Sequence, residues 1–137
     1  MNLHTTVMGL AIGASAASAS MATDYSALRA DSYVHERLLA ASVGHMVEVN
    51  CPSISRRTFY ALTQMFSLRS YARGLGYSNA ELAAYVNSEE EQARFREIAA
   101  PYLAAQGVVA GDEESYCAAG RAEIEKGTIA GSLMRSH

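Results

Sequence analysis

Two cysteines, Cys51 and Cys117, constrain the fold of this chain more than any other residues. If they pair, they close a loop of about 67 residues, which the chain-entropy account values at about 4 kcal/mol. That is a large share of the ~5–15 kcal/mol by which a typical domain is stable. Whether they pair depends on the compartment, because disulfides persist where the surroundings are oxidising.

The N-terminus has the layout of a secretory signal. Residues 7–22 carry no charge and consist of Ala, Gly and Ser with a few larger apolar residues. The stretch is shorter and less apolar than a membrane span, which takes about 20 mostly apolar residues. Small residues allow cleavage after Ala22 or, in a second frame, after Ala19. We expect residues 1–22 to be a cleaved signal peptide and residues 23–137 to form one exported domain, with an uncleaved anchor or ordinary helix as the alternative.

In an exported chain whose two cysteines both lie in the mature part, a structural disulfide is the favoured interpretation. Free or intermolecular thiols are the alternative. A catalytic Cys51 would need a histidine base, but His45 lies on the other side of the same predicted helix. We therefore predict that Cys51 is bonded to Cys117 and closes the first predicted helix onto the last long one.

The expected mature chain reads as helices separated by caps and glycines. Apolar residues recur at helical spacing from about residue 31 to 50 and from about residue 55 to 75. Pro52 ends the first helix, and Gly74 with Gly76 ends the second. The second is the most apolar and is predicted to be the central helix of the fold. Its stripe consists of Leu62, Met65, Leu68, Ala72 and Leu75, widened by Phe59 and Phe66.

Further helix starts are marked by capping residues. Capping boxes stand at 78–81 and 88–91, while Asp112 and Thr128 are placed to cap the last two helices. Pro101 is predicted to kink or break the helix in which it lies. The fold class is therefore all-α, a compact array of about five or six short helices stapled by one disulfide.

No set of residues predicts a catalytic or metal site. His35 and His45 lie about 80° out of phase on a helix, so they cannot clamp one ion as an i, i+4 pair can. The glutamates at 89–91 and 113–114 lie in predicted first turns, where acidic side chains stabilise the exposed N–H groups. We therefore expect no catalytic residue, no metal ligand and no cofactor.

The charge pattern favours an interaction surface instead. A net charge of −3 argues against nucleic acid, which binds a basic face. Between residues 55 and 77 there are four arginines and no acid, interleaved with aromatic residues. The candidate surface, for a partner or for anionic headgroups, consists of Arg56, Arg57, Tyr60, Arg69 and Arg73. The alternative is that these arginines pair with acids of the neighbouring helices, among the glutamates of residues 81–97.

Three motifs stand in order along the chain, CPSIS at 51–55, GYSNAE at 76–81 and ESYCAAGRAEI at 114–124. Together they resemble a family of small secreted alphaproteobacterial proteins, domain of unknown function 5333. The similarity covers nearly the whole expected mature chain. It implies export, a helical fold and two paired cysteines, and it implies no activity. Relatives encoded among genes for respiratory NADH–quinone oxidoreductase suggest an accessory role near the inner membrane.

We therefore expect a non-enzymatic periplasmic accessory or interaction protein that docks on a larger partner, with a respiratory membrane complex as a candidate. The alternative is a small periplasmic module that binds an apolar ligand or lipid. Docking predicts an exposed apolar or arginine–aromatic patch over a filled core. Ligand binding predicts an enclosed apolar cavity of several hundred Å³, the usual scale of such sites.

Overall fold

The computed structural model describes residues 22–137, so the expected signal peptide lies outside the described residues except for Ala22. This part contains seven helices and one two-stranded sheet, which confirms the all-α class. The helices are α1 Ser26–Ala30, α2 Ser32–Asn50, α3 Thr58–Gly74, α4 Asn79–Val86, α5 Glu89–Ala105, α6 Glu113–Lys126 and α7 Ile129–Ser132. The strands are β1 Ile54–Arg56 and β2 Met134–Ser136. No helix within residues 22–137 is long and apolar enough to cross a membrane.

The central helix is α2, which packs against α1, α3, α5, α6, α7 and β1. Asp31 caps it by accepting a hydrogen bond from the backbone N–H of Val34 at 2.9 Å. On its buried side, Ala40 and Gly44 accompany valines at 43 and 47. Because these side chains are short, several elements can approach the same helix closely.

The buried apolar residues form two clusters. The larger surrounds the C-terminal half of α2 and includes residues from β1, α5, α6, α7 and β2. The smaller joins α1, the start of α2, α3 and α4. Its buried members are Leu28, Val34, Leu68, Ala72, Leu82 and Tyr85. Residues from successive turns of α2 lie in both clusters, so this helix connects the two halves of the core.

Cys51 and Cys117 are bonded, with their Cα atoms 5.2 Å apart, which confirms the predicted disulfide. The bond joins the residue that ends α2 to the first half of α6, and both cysteines are buried. Gly120 lies one turn further along α6, where a β-carbon would overlap side-chain atoms of Val47 and Ile54. The bond and this close packing together hold α6 against α2 and β1.

The prediction that the second helix is central is wrong. It corresponds to α3, which lies at the edge of the structure and buries only Leu68 and Ala72. On a helix these two residues lie on one side, whereas Phe59 and Phe66 lie on another. One side of α3 packs against the core, so the residues on the other side remain exposed.

The start of α3 also differs from the prediction. Residues 54–56 form β1 and pair antiparallel with β2. The backbone N–H of Arg57 then donates to the carbonyl oxygen of Leu133 at 2.8 Å. The helix therefore begins at Thr58 rather than near residue 55. Strands of three residues are too short to show a period of two, which is why the sequence did not reveal them.

The capping signals are largely confirmed. Both hydrogen bonds of the box at 78–81 are present, and the side chains of Asp112 and Thr128 cap α6 and α7. At Ser88 the hydroxyl accepts from the backbone N–H of Glu91 at 3.3 Å. The carboxylate of Glu91 does not complete the box, because it binds two arginines instead.

Pro101 does not break α5, which runs without interruption from Glu89 to Ala105. A proline removes one backbone hydrogen bond, here the one to the carbonyl of Glu97. Both Pro101 and Glu97 are exposed, so water can hydrate that carbonyl. The loss is therefore small enough for the helix to continue.

Replacing Gly131 with alanine should destabilise the fold. Gly131 is buried in α7, and a β-carbon there would overlap the backbone of Glu123 in α6. Backbone atoms cannot yield without separating the two helices, so we expect Gly131→Ala to lower the free energy of unfolding by about 1–3 kcal/mol in a denaturant titration. Gly74→Ala is the control: nothing lies within 4 Å of its β-carbon, so a gain of up to about 1 kcal/mol is expected. Equal effects of the two changes would contradict this packing.

Candidate interaction surface

One row of residues on α3 lies outside both clusters, and its member Arg69 is half-buried at the border of the smaller one. Its members recur at spacings of three and four residues, which places them on one side of the helix. We call Phe59, Leu62, Phe66, Arg69 and Arg73 the α3 face. Phe59 is 87% exposed, Phe66 61% and Leu62 49%. Large contiguous apolar patches are rare on the surfaces of soluble proteins, and where they occur they commonly mark binding sites. This row of three large apolar side chains is therefore a candidate binding site.

The opposite side of α3 is fastened to the rest of the protein. Leu68 and Ala72 are buried in the smaller cluster. The hydroxyl of Tyr71 donates to the Asp31 carboxylate at 2.8 Å, and the ring of Tyr71 lies 4.3 Å from that of Tyr33, centroid to centroid. Hydrogen bonds from the backbone of Val34 and then from Tyr71 lower the pKa of Asp31, although solvent access limits their energetic value. These contacts hold the C-terminal half of α3, and the backbone hydrogen bond from Arg57 to Leu133 holds its start.

The candidate residues from the sequence divide into two groups. Arg69 and Arg73 belong to the α3 face, with the Arg69 guanidinium 5.9 Å from the centre of the Phe66 ring. Arg56 lies on β1 and pairs with Glu48 at 2.9 Å. Arg57 donates to the carbonyl of Ser132 at 3.0 Å and lies over the ring of Tyr60 at 4.7 Å. These three residues at the start of α3 are thus engaged within the protein and do not form one cluster with the other two.

The alternative for the arginines was pairing with the glutamates of residues 81–97. Within residues 22–137, none of the four arginines of residues 55–77 forms an ion pair with a glutamate of residues 81–97. The glutamate in that range that forms ion pairs is Glu91, and its partners are Arg29 and Arg94.

Sequence reasoning missed the apolar half of the α3 face. It assigned Phe59, Leu62 and Phe66 to the core, although their helical positions are far from that of Leu68.

A groove lies on the other side of α3, between α2, α3 and α7. Its volume is about 220 Å³, and its apolar lining includes Leu38, Ala41, Met65 and Leu133. An adjoining groove of about 310 Å³ extends from the same part of α2 toward α4 and α5, where Phe95 lines it. Both are open to solvent rather than enclosed.

The chemistry available in the described residues is limited. The bonded Cys51 and Cys117 offer no thiolate, and no cysteine is free within residues 22–137. No group of three His, Cys, Asp or Glu side chains in this part of the chain is placed to hold a metal ion. The side chain of His45 lines both grooves, and the ring of His35 lies 5.7 Å from that of Phe95.

Glu91 is buried, unlike its neighbours Glu89 and Glu90, which are exposed in the first turn of α5. Arg29 donates to Glu91 Oε1 through Nε at 2.8 Å, and Arg94 donates to Oε2 at 2.9 Å. Burial acts to raise the pKa of Glu91, but the hydrogen bonds from Arg29 and Arg94 outweigh it and hold the pKa below its usual value. The carboxylate therefore remains charged and ties α1 to α5.

Glu123 is buried more completely, at 1% exposure, and has no counterpart among the predictions. It accepts hydrogen bonds from the hydroxyl of Tyr102 at 2.7 Å and the amide of Gln106 at 2.6 Å, and another from the hydroxyl of Thr128. Burial, followed by the hydrogen bond to Glu123, raises the pKa of the Tyr102 hydroxyl. All of these neighbours are neutral donors, and their hydrogen bonds tie α5, α6 and α7 together.

The described part of the chain is thus a small, mostly helical domain with one buried disulfide and an exposed apolar and basic helix face. Residues 26–135 match the family described as "Family of unknown function (DUF5333)", and the chain belongs to that family. The resemblance carried by the three motifs is confirmed, and the family assigns no activity. No curated protein and no solved structure matches the chain.

The ion pairs of Glu91 predict acid-sensitive stability. Because the folded-state pKa is lowered, their contribution is complete above the unfolded-state pKa and is lost as the pH falls through the folded-state pKa. Glu91→Gln should lower the free energy of unfolding near neutral pH by about 2 kcal/mol, and the difference from wild type should shrink in acid. Denaturant titrations across the acid range measure this. Glu90→Gln, at the exposed neighbouring position, should change little, and a Glu91→Gln deficit independent of pH would contradict the assignment.

Proposed function

We propose that this protein is an exported, non-enzymatic accessory protein that docks on a larger partner through the α3 face. The observation that carries the proposal is the row Phe59, Leu62 and Phe66, exposed on a helix whose other side is anchored. Each such side chain is worth about 1–2 kcal/mol when a partner covers it. That energy is gained only in a complex, because no described part of this chain covers the row.

The arginines of the α3 face indicate the charge of the expected partner. Arg69 and Arg73 form no ion pair within the described residues. Arginine and aromatic residues are enriched in protein interfaces, where guanidinium groups form several directed hydrogen bonds. The expected partner therefore presents an apolar surface bordered by negative charge.

Export to the periplasm is supported by two features. The uncharged, small-residue stretch at 7–22 has the layout of a signal peptide. The disulfide is of the kind that persists in an oxidising compartment, where it stabilises small domains. A periplasmic protein meets the outer surface of the inner membrane and its complexes, so the respiratory membrane complex suggested by the resemblance is the first partner to test.

A module that binds an apolar ligand or lipid is the second candidate, favoured by the apolar floor of the grooves around Leu38 and Met65. Binding pockets for small ligands usually enclose about 300–1,000 Å³ and cover most of the ligand. Both grooves are open rather than enclosed, and their volumes of about 220 and 310 Å³ lie below and at the lower end of that range. Docking is therefore preferred. Saturable binding of a fluorescent fatty acid that Met65→Glu abolishes would favour the second candidate.

Export and disulfide formation predict the mass of the native protein. The chain recovered from the periplasm should begin at Thr23 or, less favoured, at Ser20, and should lack the hydrogens that oxidation removes from both thiols. Intact mass spectrometry before and after reduction measures both. Alkylation without reduction should modify neither cysteine. A mass that retains residues 1–22 would contradict cleavage, and two alkylated cysteines in the native protein would contradict the bond.

Docking through the α3 face predicts loss of the partner without loss of the fold. Phe59→Ser combined with Phe66→Ser removes the two most exposed aromatic residues of the face. Co-purification with partners from detergent-solubilised membranes should fall at least about ten-fold, the equivalent of ~1.4 kcal/mol. The melting temperature should not fall, because neither ring is buried in the described structure.

Val109→Ser is the matched control, since Val109 is 60% exposed but lies in the turn between α5 and α6, away from α3. It should leave co-purification unchanged. If the Phe59→Ser, Phe66→Ser variant retained its partner while the Val109 variant lost it, the docking surface would lie elsewhere.

A further inference from the structure

We propose that the partner of the α3 face is the surface of an anionic lipid bilayer, which the face binds directly. This inference rests on the proposed function, because the same surface does the docking. It names the lipid around a membrane complex, and not the complex itself, as what the surface contacts, so it predicts vesicle binding rather than co-purification from detergent. The chemistry recognised is that of lipid phosphate groups above an apolar layer. An acidic helix of a partner protein is the competing occupant, and the experiment below separates the two.

The first support is the distribution of charge along the chain. Residues 49–80, which contain β1 and all of α3, carry four arginines and no Asp or Glu. The whole chain has a net charge of −3 and this segment +4, so the remaining residues carry −7. A molecule with one basic region and an acidic remainder is oriented by an extended anionic plane, which attracts the first and repels the second.

The second support is that two guanidinium groups of this segment remain available to bind a ligand. Glu48 holds Arg56, and the carbonyl of Ser132 holds Arg57. Arg69 and Arg73 form no ion pair in the described structure and lie on the last turns of the α3 face. A guanidinium group matches phosphate oxygens with two parallel hydrogen bonds, so these two residues suit lipid headgroups.

The third support is the order of residues along the face. Phe59, Leu62 and Phe66 occupy its first half, and the arginines occupy its second half. A helix that lies on a bilayer buries apolar side chains about 5–10 Å into the boundary between headgroups and acyl chains. In such an orientation the first half of α3 would insert its apolar side chains, while the arginines of the second half would remain at the level of the phosphates.

The shape of the face favours a bilayer over a protein. Anchor residues of protein interfaces usually fit well-packed pockets. Phe59, Leu62 and Phe66 form a ridge, and neither described groove is lined by any of them. A ridge with an 87% exposed phenylalanine at one end enters a deformable lipid surface without a complementary pocket. With three apolar side chains and two available arginines, the binding is expected to be reversible.

The experiment measures co-sedimentation of the full mature protein with two kinds of vesicle. One kind is phosphatidylcholine alone, and the other contains equal amounts of phosphatidylcholine and phosphatidylglycerol. We expect binding to the anionic vesicles only, weakened by added salt because the attraction is screened. Equal binding to both kinds, or binding to neither, would overturn the proposal.

Variants then assign the binding to the α3 face. Arg69→Gln with Arg73→Gln should weaken binding to the anionic vesicles about 20- to 30-fold, since each arginine near such a surface contributes about five-fold. Arg96→Gln with Arg121→Gln changes the net charge equally but acts on α5 and α6. That control should alter binding by no more than about two-fold. Equal losses in both pairs would mean that net charge alone matters and would overturn the assignment.

The outcome also distinguishes this inference from the proposed function. A protein that ignores both vesicle types but co-purifies with a membrane protein through Phe59 and Phe66 has a protein partner, so only the lipid inference fails. If Phe59→Ser with Phe66→Ser changes neither vesicle binding nor co-purification, both proposals fail. Circular dichroism melting of every variant confirms that each comparison is made between folded proteins.

Discussion

The Cys51–Cys117 bond lies where α2, α6 and β1 meet, and the positions of the other elements follow from that contact. Because α2 runs through both apolar clusters, holding its C-terminal end against α6 orients the two halves of the core. The chain leaves Cys51 directly into β1, which pairs with β2 near the C-terminus. The backbone of Arg57 then bonds to Leu133, which sets the start of α3. The exposed helix is thus positioned by a covalent bond and a short sheet rather than by extensive burial of its own.

The limited burial of α3 has a simple physical origin. A chain of this size buries only about two-thirds of the surface that it exposes when unfolded. Here α2 occupies the centre, with small residues such as Ala40 and Gly44 that let its neighbours approach. For α3 there remains one strip of contact, at Leu68 and Ala72, over the smaller cluster. The opposite strip carries Phe59, Leu62 and Phe66, and these side chains are exposed in the described structure.

Two glutamates, Glu91 and Glu123, are buried in the described structure. Glu91 is neutralised by Arg29 and Arg94, whereas Glu123 is satisfied by neutral donors from Tyr102, Gln106 and Thr128. Glu91 joins α1 to α5, which are distant in sequence, whereas Glu123 joins the consecutive helices α5, α6 and α7. Breaking a buried ion pair, or leaving a buried polar group without its hydrogen bonds, is destabilising, so both groups favour one arrangement of the helices. A fixed arrangement keeps the α3 face in one orientation relative to the core.

The sequence by itself determined the all-α class and most helix starts, because these depend on short-range chemistry. It also determined the pairing of the cysteines, because the chain contains only two and its N-terminus indicates an oxidising compartment. Three helices are capped by a side chain that accepts a hydrogen bond from the backbone N–H three residues further on, at Ser78, Asp112 and Thr128. Such a cap does not depend on where the helix lies in the fold. The sequence also identified Arg69 and Arg73 as part of a candidate surface. Only the tertiary structure decided that α2 is central and α3 peripheral, since an apolar stripe does not record whether another helix covers it. For the same reason the sequence did not reveal the buried ion pairs of Glu91 or the exposure of Phe59. The first depends on Arg29, which the fold brings near, and the second on the lack of a covering element in the described structure.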